Sequence, residues 1–364
     1  MMAARRTGLL LINLGTPASP RPSDVRPYLR EFLSDPRVID VNPLLRWFLL
    51  NVVILPRRPK ESGAAYEKIW TDRGSPLLFH GRDLVEKVRR RLGSEVRVAL
   101  AMRYGQPSVA SGLEELRDNG VQRIVVFPLY PQYSSAATGS SIEKVFACAS
   151  ELWNVPPLQF VPPFYDHPAF IEAKAAVARP YLERADYEKI FFSFHGLPER
   201  HVRKSDATGK HCLCAEDCCE RIVEANVNCY RAQCFATARL LADRLGVPED
   251  MRILCFQSRL GRDPWIRPYT DELVEQQARA GVKRALIMSP AFVADCLETI
   301  EELGIRAADS FRAAGGESLE LVPSLNARDD WADAVVAIAR EHSTWLGEDM
   351  DRPAEDRHSS WTAR

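Results

Sequence analysis

Apolar residues along the chain fall into short, near-continuous runs bounded by turn residues, and the stretches between several of them repeat apolar positions every three to four residues. Apolar residues at successive positions mark strands covered on both faces, and helix-period stretches between such strands supply parallel crossovers. On this pattern strands are predicted over residues 8–14, 96–102, 123–129, 158–162, 189–194, 252–257, 284–289 and 319–322. They divide four and four, and the third and fourth strands of each half begin about 35 residues apart, the length of one βαβ unit. The fold class that follows is α/β, with two similar Rossmann-like lobes, each a four-stranded parallel sheet flanked by helices. The N-terminal lobe is expected over residues 1–170 and the C-terminal lobe over residues 171–346. Residues 347–364 form a polar tail without periodicity, expected to be loosely ordered.

Two intervals are far longer than one crossover helix, residues 16–92 and residues 195–251, and both read as functional insertions. The first contains the longest uncharged apolar run, residues 47–56, which is interrupted by Asn51 and falls well short of the ~20 residues a membrane-spanning helix needs. Arg5 and Arg6 before the apolar residues 9–12 imitate a signal peptide weakly, but the stretch is too short and no small-residue cleavage site follows. A cytoplasmic protein is expected. At 364 residues, 46% hydrophobic and 27% charged, the chain can bury the cores of two lobes. Its 48 Lys and Arg against 49 Asp and Glu leave no basic excess for nucleic acid.

In open parallel sheets ligands bind beyond the carboxyl ends of the strands, so the residues that end the strands carry the candidate chemistry. The first strand runs into Asn13, Leu14, Gly15, Thr16 and Pro17, the second into Arg103 and Tyr104, and the third into Tyr130, Pro131, Gln132, Tyr133 and Ser134. The fifth runs into His195 and Gly196, the sixth ends at Gln257, Ser258 and Arg259, and the seventh runs into Ser289, Pro290, Ala291 and Phe292. No Gly-x-Gly-x-x-Gly or P-loop lysine appears, which disfavours a nucleotide. Aromatic rings with Trp265, a histidine and isolated polar groups suit a flat, largely apolar ligand with polar edges. Asp295, Glu298 and Glu302 stand at i, i+3 and i+7, so a helix over residues 294–303 would carry three carboxylates along one side. A histidine facing them makes a site for a divalent transition metal, Fe(II) among the candidates.

Six of the nine cysteines, Cys212, Cys214, Cys218, Cys219, Cys229 and Cys234, fall within one insertion, while Cys148, Cys255 and Cys296 are scattered. Clustering of this kind in a cytoplasmic chain points to a metal rather than to disulfides. The spacing fits structural zinc and an iron–sulfur cluster equally, with two thiols to spare.

With these residues in view the chain resembles the ferrochelatases. The motifs that carry the resemblance span nearly the whole chain in order: residues 13–17, 69–78 (IWTDRGSPLL), 103–104, 130–141 (YPQYSSAATGSS), 193–198 (SFHGLP), 256–261 (FQSRLG), 264–271 and 295–298. The resemblance implies insertion of ferrous iron, as substrate, into protoporphyrin IX, a lyase reaction of haem biosynthesis. His195 would be the active-site histidine and Glu298 the glutamate across the porphyrin plane, both meeting the substrate iron, with Asp295 and Glu302 forming an acidic iron path. Arg103 and Tyr104 would meet the macrocycle or its propionates, Leu14 and Tyr130 would contact it, and Trp265 and Phe292 would line the pocket. Residues 43–56 match the family's apolar pocket lip, implying entry of the macrocycle from a membrane surface and peripheral contact there. Some relatives carry histidine where this chain has Cys296, so no catalytic role is assigned to that position. The resemblance also implies a 2Fe–2S cluster on Cys212, Cys219, Cys229 and Cys234, with Cys214 or Cys218 as alternates, supporting the fold rather than the insertion.

The chemistry needs these residue types. Metallation removes two pyrrole protons and delivers a hydrated cation to four nitrogens in a stiff ring. An imidazole, ordinarily titrating at ~6.5, can take a proton near neutrality. Carboxylates exchange with the waters of Fe(II) without holding it as tightly as thiolates. Coproporphyrin III is the alternative substrate; a non-catalytic tetrapyrrole carrier or iron-responsive binding protein is the alternative class, disfavoured because a carrier needs the cavity but no base. The sequence leaves the oligomeric state open.

Overall fold

The computed structural model describes residues 6–346 apart from 260 and 262, so the expected polar tail lies outside the described residues. All eight expected strands form. The first lobe holds β1 (Thr7–Thr16), β2 (Val96–Gly105), β3 (Arg123–Pro128) and β4 (Leu158–Phe160), in the order β2-β1-β3-β4. The second holds β5 (Lys189–His195), β6 (Arg252–Gln257), β7 (Arg284–Met288) and β8 (Ser318–Leu321), in the order β6-β5-β7-β8. Every pairing in both sheets is parallel. One topology is thus used twice, with β5 standing where β1 stands. The apolar runs are continuous because β1 and β5 are paired on both sides and covered on both faces, and Leu9 to Ile12 and Phe191 to Phe194 are fully buried.

Helices α1 (Pro22–Ser34), α2 (Pro43–Phe48), α3 (Arg58–Ile69) and α4 (Pro76–Leu92) fill the long interval after β1. Each carries proline in its first turn, where the missing N–H has no intrahelical partner to lose. Helices α5 (Val109–Asp118) and α6 (Ser140–Ser150) make the next crossovers, and α7 (Pro168–Arg184) leads into β5. In the second lobe α8 (Glu199–Lys204) precedes the cysteine segment, and α9 (Tyr230–Leu245), α10 (Thr270–Arg279), α11 (Ala308–Ala313) and α12 (Asp329–Glu341) follow.

The lobes share a core that runs from Leu9 and Val125 through Phe164 and Phe170 to Phe192 and Phe194. Residues 329–346, grouped with the second lobe in the sequence division, cross back to the first. Trp331 packs on Phe164 and Phe170, Ser343 Oγ donates to Gln159 at 2.7 Å, and Arg91 pairs with Asp329 and Asp333. The apolar insertion folds as α2 followed by a wide helical turn, Leu49–Ile54. Leu50 and Leu55 anchor it against Leu33, while Leu44 (81% exposed), Trp47 (63%), Phe48, Val52 and Val53 face outward. No helix among the described residues is long and apolar enough to cross a membrane.

Candidate active site

In each parallel sheet the strand order switches sides between the two central strands, so a crevice opens at the carboxyl ends of β1 and β3 and of β5 and β7. His195 ends β5, in register with Gln257 at the end of β6, and Phe292 follows β7. A Cβ on Gly196 would lie 2.9 Å from the Gln257 carbonyl oxygen and 3.2 Å from the Trp265 ring, so glycine lets the indole close over the strand end. The Trp265 and Phe292 rings each stand 6.4 Å from the imidazole, tilted by 52° and 58°. His195 Nδ1 lies 2.6 Å from the Gly196 carbonyl oxygen. A carbonyl only accepts, so in the neutral ring Nδ1 carries the proton and the free lone pair falls on Nε2.

The acidic stripe takes a different form from the one its spacing predicts. The segment is not an α-helix over residues 294–303: it is a π-helix over Glu298–Ala307, continuing into α11, and Asp295 precedes it. The Asp295 carboxylate is held ahead of the helix, where it accepts from the Ser324 N–H at 3.0 Å, Asn326 Nδ2 at 2.7 Å and the Thr299 hydroxyl at 3.2 Å. A side chain that binds backbone and neighbours in this way starts a helix from outside it. Glu298 and Glu302 remain on the helix, four residues apart, in the i→i+5 pattern that is rare in proteins and common at functional sites.

Glu298 is held at its backbone by Gln257, whose amide donates to the Glu298 carbonyl at 2.9 Å and accepts from Ser193 Oγ at 2.9 Å. Its side chain bonds the Cys296 thiol, which burial and then the Glu298 charge push well above the usual thiol range. Glu302 accepts from the Ser258 hydroxyl. Burial, then the charge of Glu298, push the Glu302 carboxyl up, while Ser258 and His195 pull it down. Glu298, Leu14 and Phe292 line one cavity together with Asn13, Thr16 and Tyr66. The cavity therefore gathers groups from β1, α3 and the residues after β7, and His195 of β5 stands beside it across the Phe292 ring.

Arg103 and Tyr104 do not stand free for a ligand. Tyr104 is fully buried, and its hydroxyl donates to Asp35 Oδ2 at 2.8 Å. Arg103 pairs with the same carboxylate at 2.6 Å and donates to Ser140 Oγ at 2.6 Å. Burial alone would raise the Asp35 carboxyl, but hydrogen bonds from Ser140, the Arg37 N–H and Tyr104, with the Arg103 charge, hold it below its ordinary value. The pair thus braces the first-lobe rim. Tyr130 is half-buried, with Ser141 Oγ donating to its hydroxyl at 3.3 Å. Sequence reasoning missed Asp35 and Tyr66; the latter lies three residues before the 69–78 motif, and helical spacing from Ile69 could have found it.

All clustered cysteines except Cys214 are buried. The thiols of Cys212 and Cys219 each reach Cys229, the sulfurs of Cys218 and Cys219 lie 3.7 Å apart, and Arg231 donates to Cys219 at 3.0 Å. Cys234 is fully buried and its charge would face Cys219. Among the described residues no group of three or more His, Cys, Asp or Glu is arranged to hold a metal ion.

The ferrochelatase family model matches residues 6–343. The chain is 45% identical over 336 residues to a ferrochelatase of Legionella pneumophila (strain Lens), covering 92% of this chain and 99% of that one. It is 46% identical over 331 residues to a ferrochelatase of Pseudomonas fluorescens, covering 91% and 96%. The solved structure of SirB from Bacillus subtilis with Fe3+ aligns at a TM-score of 0.51 and 12% identity, covering 93% of this chain and 96% of that one, a likeness of fold alone. With the family matched over nearly its whole length, the chain belongs to the ferrochelatases, metal chelatases of the lyase class that place iron in a porphyrin in haem biosynthesis.

Proposed function

We propose that this cleft inserts ferrous iron into protoporphyrin IX with His195 as the base and Glu298 and Glu302 as the carboxylates that strip water from the metal and carry protons away. The observation that supports this reading is the His195 tautomer: Nδ1 is committed to the Gly196 carbonyl, so Nε2 is the acceptor. The reaction consumes the porphyrin free base and Fe(II) and yields the iron porphyrin and two protons. His195 takes one proton; the carboxylate pair, with the Glu302 carboxyl pushed up by burial and by the charge of Glu298, takes the second. Trp265 and Phe292 flank the imidazole and exclude water from the macrocycle face. Asp295, with its oxygens bonded to Ser324, Asn326 and Thr299, serves the iron path by anchoring Glu298.

The outward face of residues 43–56 fits peripheral contact with a membrane surface, from which an apolar macrocycle reaches the cleft without crossing water. The clustering of Cys212, Cys219, Cys229 and Cys234, with Cys214 and Cys218, in one stretch of sequence supports a 2Fe–2S cluster there, although among the described residues these thiols are not arranged to hold a metal ion. Such a cluster, when bound, supplies iron–thiolate bonds that tie the segment to α9. Glu298→Gln tests the reading. Insertion into protoporphyrin IX is expected to slow by about 100-fold or more with porphyrin binding retained. Full turnover by Glu298→Gln would remove the carboxylate from the mechanism, and faster insertion into coproporphyrin III than into protoporphyrin IX by the unaltered protein would change the substrate.

A further inference from the structure

We propose that Lys174 is a positioning residue for iron insertion: from α7 its amine binds the carbonyls of Phe292 and Ser289 and so fixes the loop that holds Phe292 against His195. The proposal rests on the functional reading above. Lys174 Nζ donates to the Phe292 carbonyl at 2.5 Å and to the Ser289 carbonyl at 3.4 Å, and among the described residues it makes no ion pair. Ser289 Oγ in turn donates to the Ser193 carbonyl of β5 at 2.7 Å. The loop after β7 is therefore held from the strand on one side and from α7 on the other. Farther along, Asp295 is fixed by Ser324, Asn326 and Thr299. The stretch over residues 289–298, which carries both Phe292 and Glu298, is tied down by Lys174 near its start and by Asp295 near its end.

A buried lysine without a bonded carboxylate is costly, and a methionine of similar length would fill the space at less cost. Burial pulls the Lys174 ammonium down to about 7, against the charge of Asp295. What the lysine supplies and methionine cannot is a set of N–H donors for two carbonyls of the loop after β7. Loss of those donors frees Phe292 rather than the core of α7.

The test compares Lys174→Met, which removes donors and charge, with Lys174→Arg, which keeps both. Both are expected to fold by near-ultraviolet circular dichroism and to bind protoporphyrin IX within about threefold of the unaltered protein. In Lys174→Met, kcat for anaerobic iron insertion should fall about tenfold or more with KM for Fe(II) nearly unchanged, and Lys174→Arg should restore a large part of it. Independently of turnover, the His195 imidazole resonance should shift in Lys174→Met, as the Phe292 ring moves, and stay in place in Lys174→Arg. Unchanged kcat and an unmoved resonance in Lys174→Met overturn the proposal, as does equal loss in both variants. Failure of Lys174→Met and Lys174→Gln to fold also overturns it, because the lysine then holds the fold rather than the loop. Inactivity of the unaltered protein with a shifted resonance in Lys174→Met would contradict the iron-insertion reading and leave the positioning role supported.

Discussion

Substituting Asp35 by asparagine removes the carboxylate that faces Arg103 and accepts from Tyr104 and Ser140. A guanidinium left buried without its counter-charge costs about 3–5 kcal/mol, so Asp35→Asn should lower the denaturant midpoint sharply, as equilibrium unfolding would register. Wild-type stability in that variant would show that Arg103 finds another partner. The positions of His195 at a strand end and of Glu298 on a helix were legible in the sequence because each stands next to a strong pattern, an apolar strand or an acidic series. Asp35 was not: a single carboxylate before Pro36 has no periodicity, and apart from the Arg37 N–H its partners at residues 103, 104 and 140 are brought to it by the fold. Arg103 and Tyr104 show the converse limit. Sequence places them at a strand end but does not say that the side chains turn inward to a carboxylate more than sixty residues away.

At the level of elements, the central strands β1, β3, β5 and β7 were readable because burial on both faces writes a nearly unbroken apolar run, whereas the edge strands β4 and β8 are short and only partly buried. The helix at Glu298 was misread because the i, i+3, i+7 spacing assumes an α-helix that includes residue 295, whereas Asp295 is held outside and the helix follows the i→i+5 pattern. Two elements of the functional reading can be tested as units. Replacing Leu44 and Trp47 together by serine should reduce sedimentation with phospholipid vesicles severalfold while leaving insertion in detergent intact, since the burial of two such side chains contributes about 1.5–3 kcal/mol each. Unchanged partition would separate the exposed face from any membrane role. Cys219→Ser should yield protein lacking the non-haem iron and sulfide of the unaltered protein and melting at lower temperature. One zinc per chain and no sulfide in the unaltered protein would contradict a 2Fe–2S cluster.

Across the whole molecule the two sheets repeat one topology, and the lobes are joined by more than a shared core. Asp40, just before the exposed apolar segment, pairs with Arg200 and Lys204 at 2.6 Å each and with His201 at 2.9 Å, all on α8 at the entrance to the cysteine segment. Burial pulls the Asp40 carboxyl up, but bonds from Lys204, His201 and Arg200 outweigh it and hold the carboxyl well below its ordinary value. A depressed native value means the unfolded chain binds the proton more readily, so this link stabilises the fold above the ordinary aspartate value of ~3.9 and weakens as pH falls below it. The stability difference between unaltered protein and Asp40→Asn should therefore be present above about pH 4 and shrink as pH falls toward about 2; a difference that does not shrink there would deny the carboxylate that role. The repeated sheets were visible in strand spacing, whereas the return of α12 to the first lobe was not, because an amphipathic helix does not name the surface it covers.

The central claim is that His195 takes a proton from the porphyrin as iron enters. The measurement that bears on it most directly is anaerobic incubation of purified protein with protoporphyrin IX and ferrous iron, following loss of porphyrin fluorescence and growth of the haem spectrum, for the unaltered protein and for His195→Ala. Catalytic haem formation by the unaltered protein, slowed by about 100-fold or more in His195→Ala with porphyrin affinity retained, is the predicted result. Tight porphyrin binding without turnover across porphyrins and divalent metals, or equal turnover in both proteins, would contradict it.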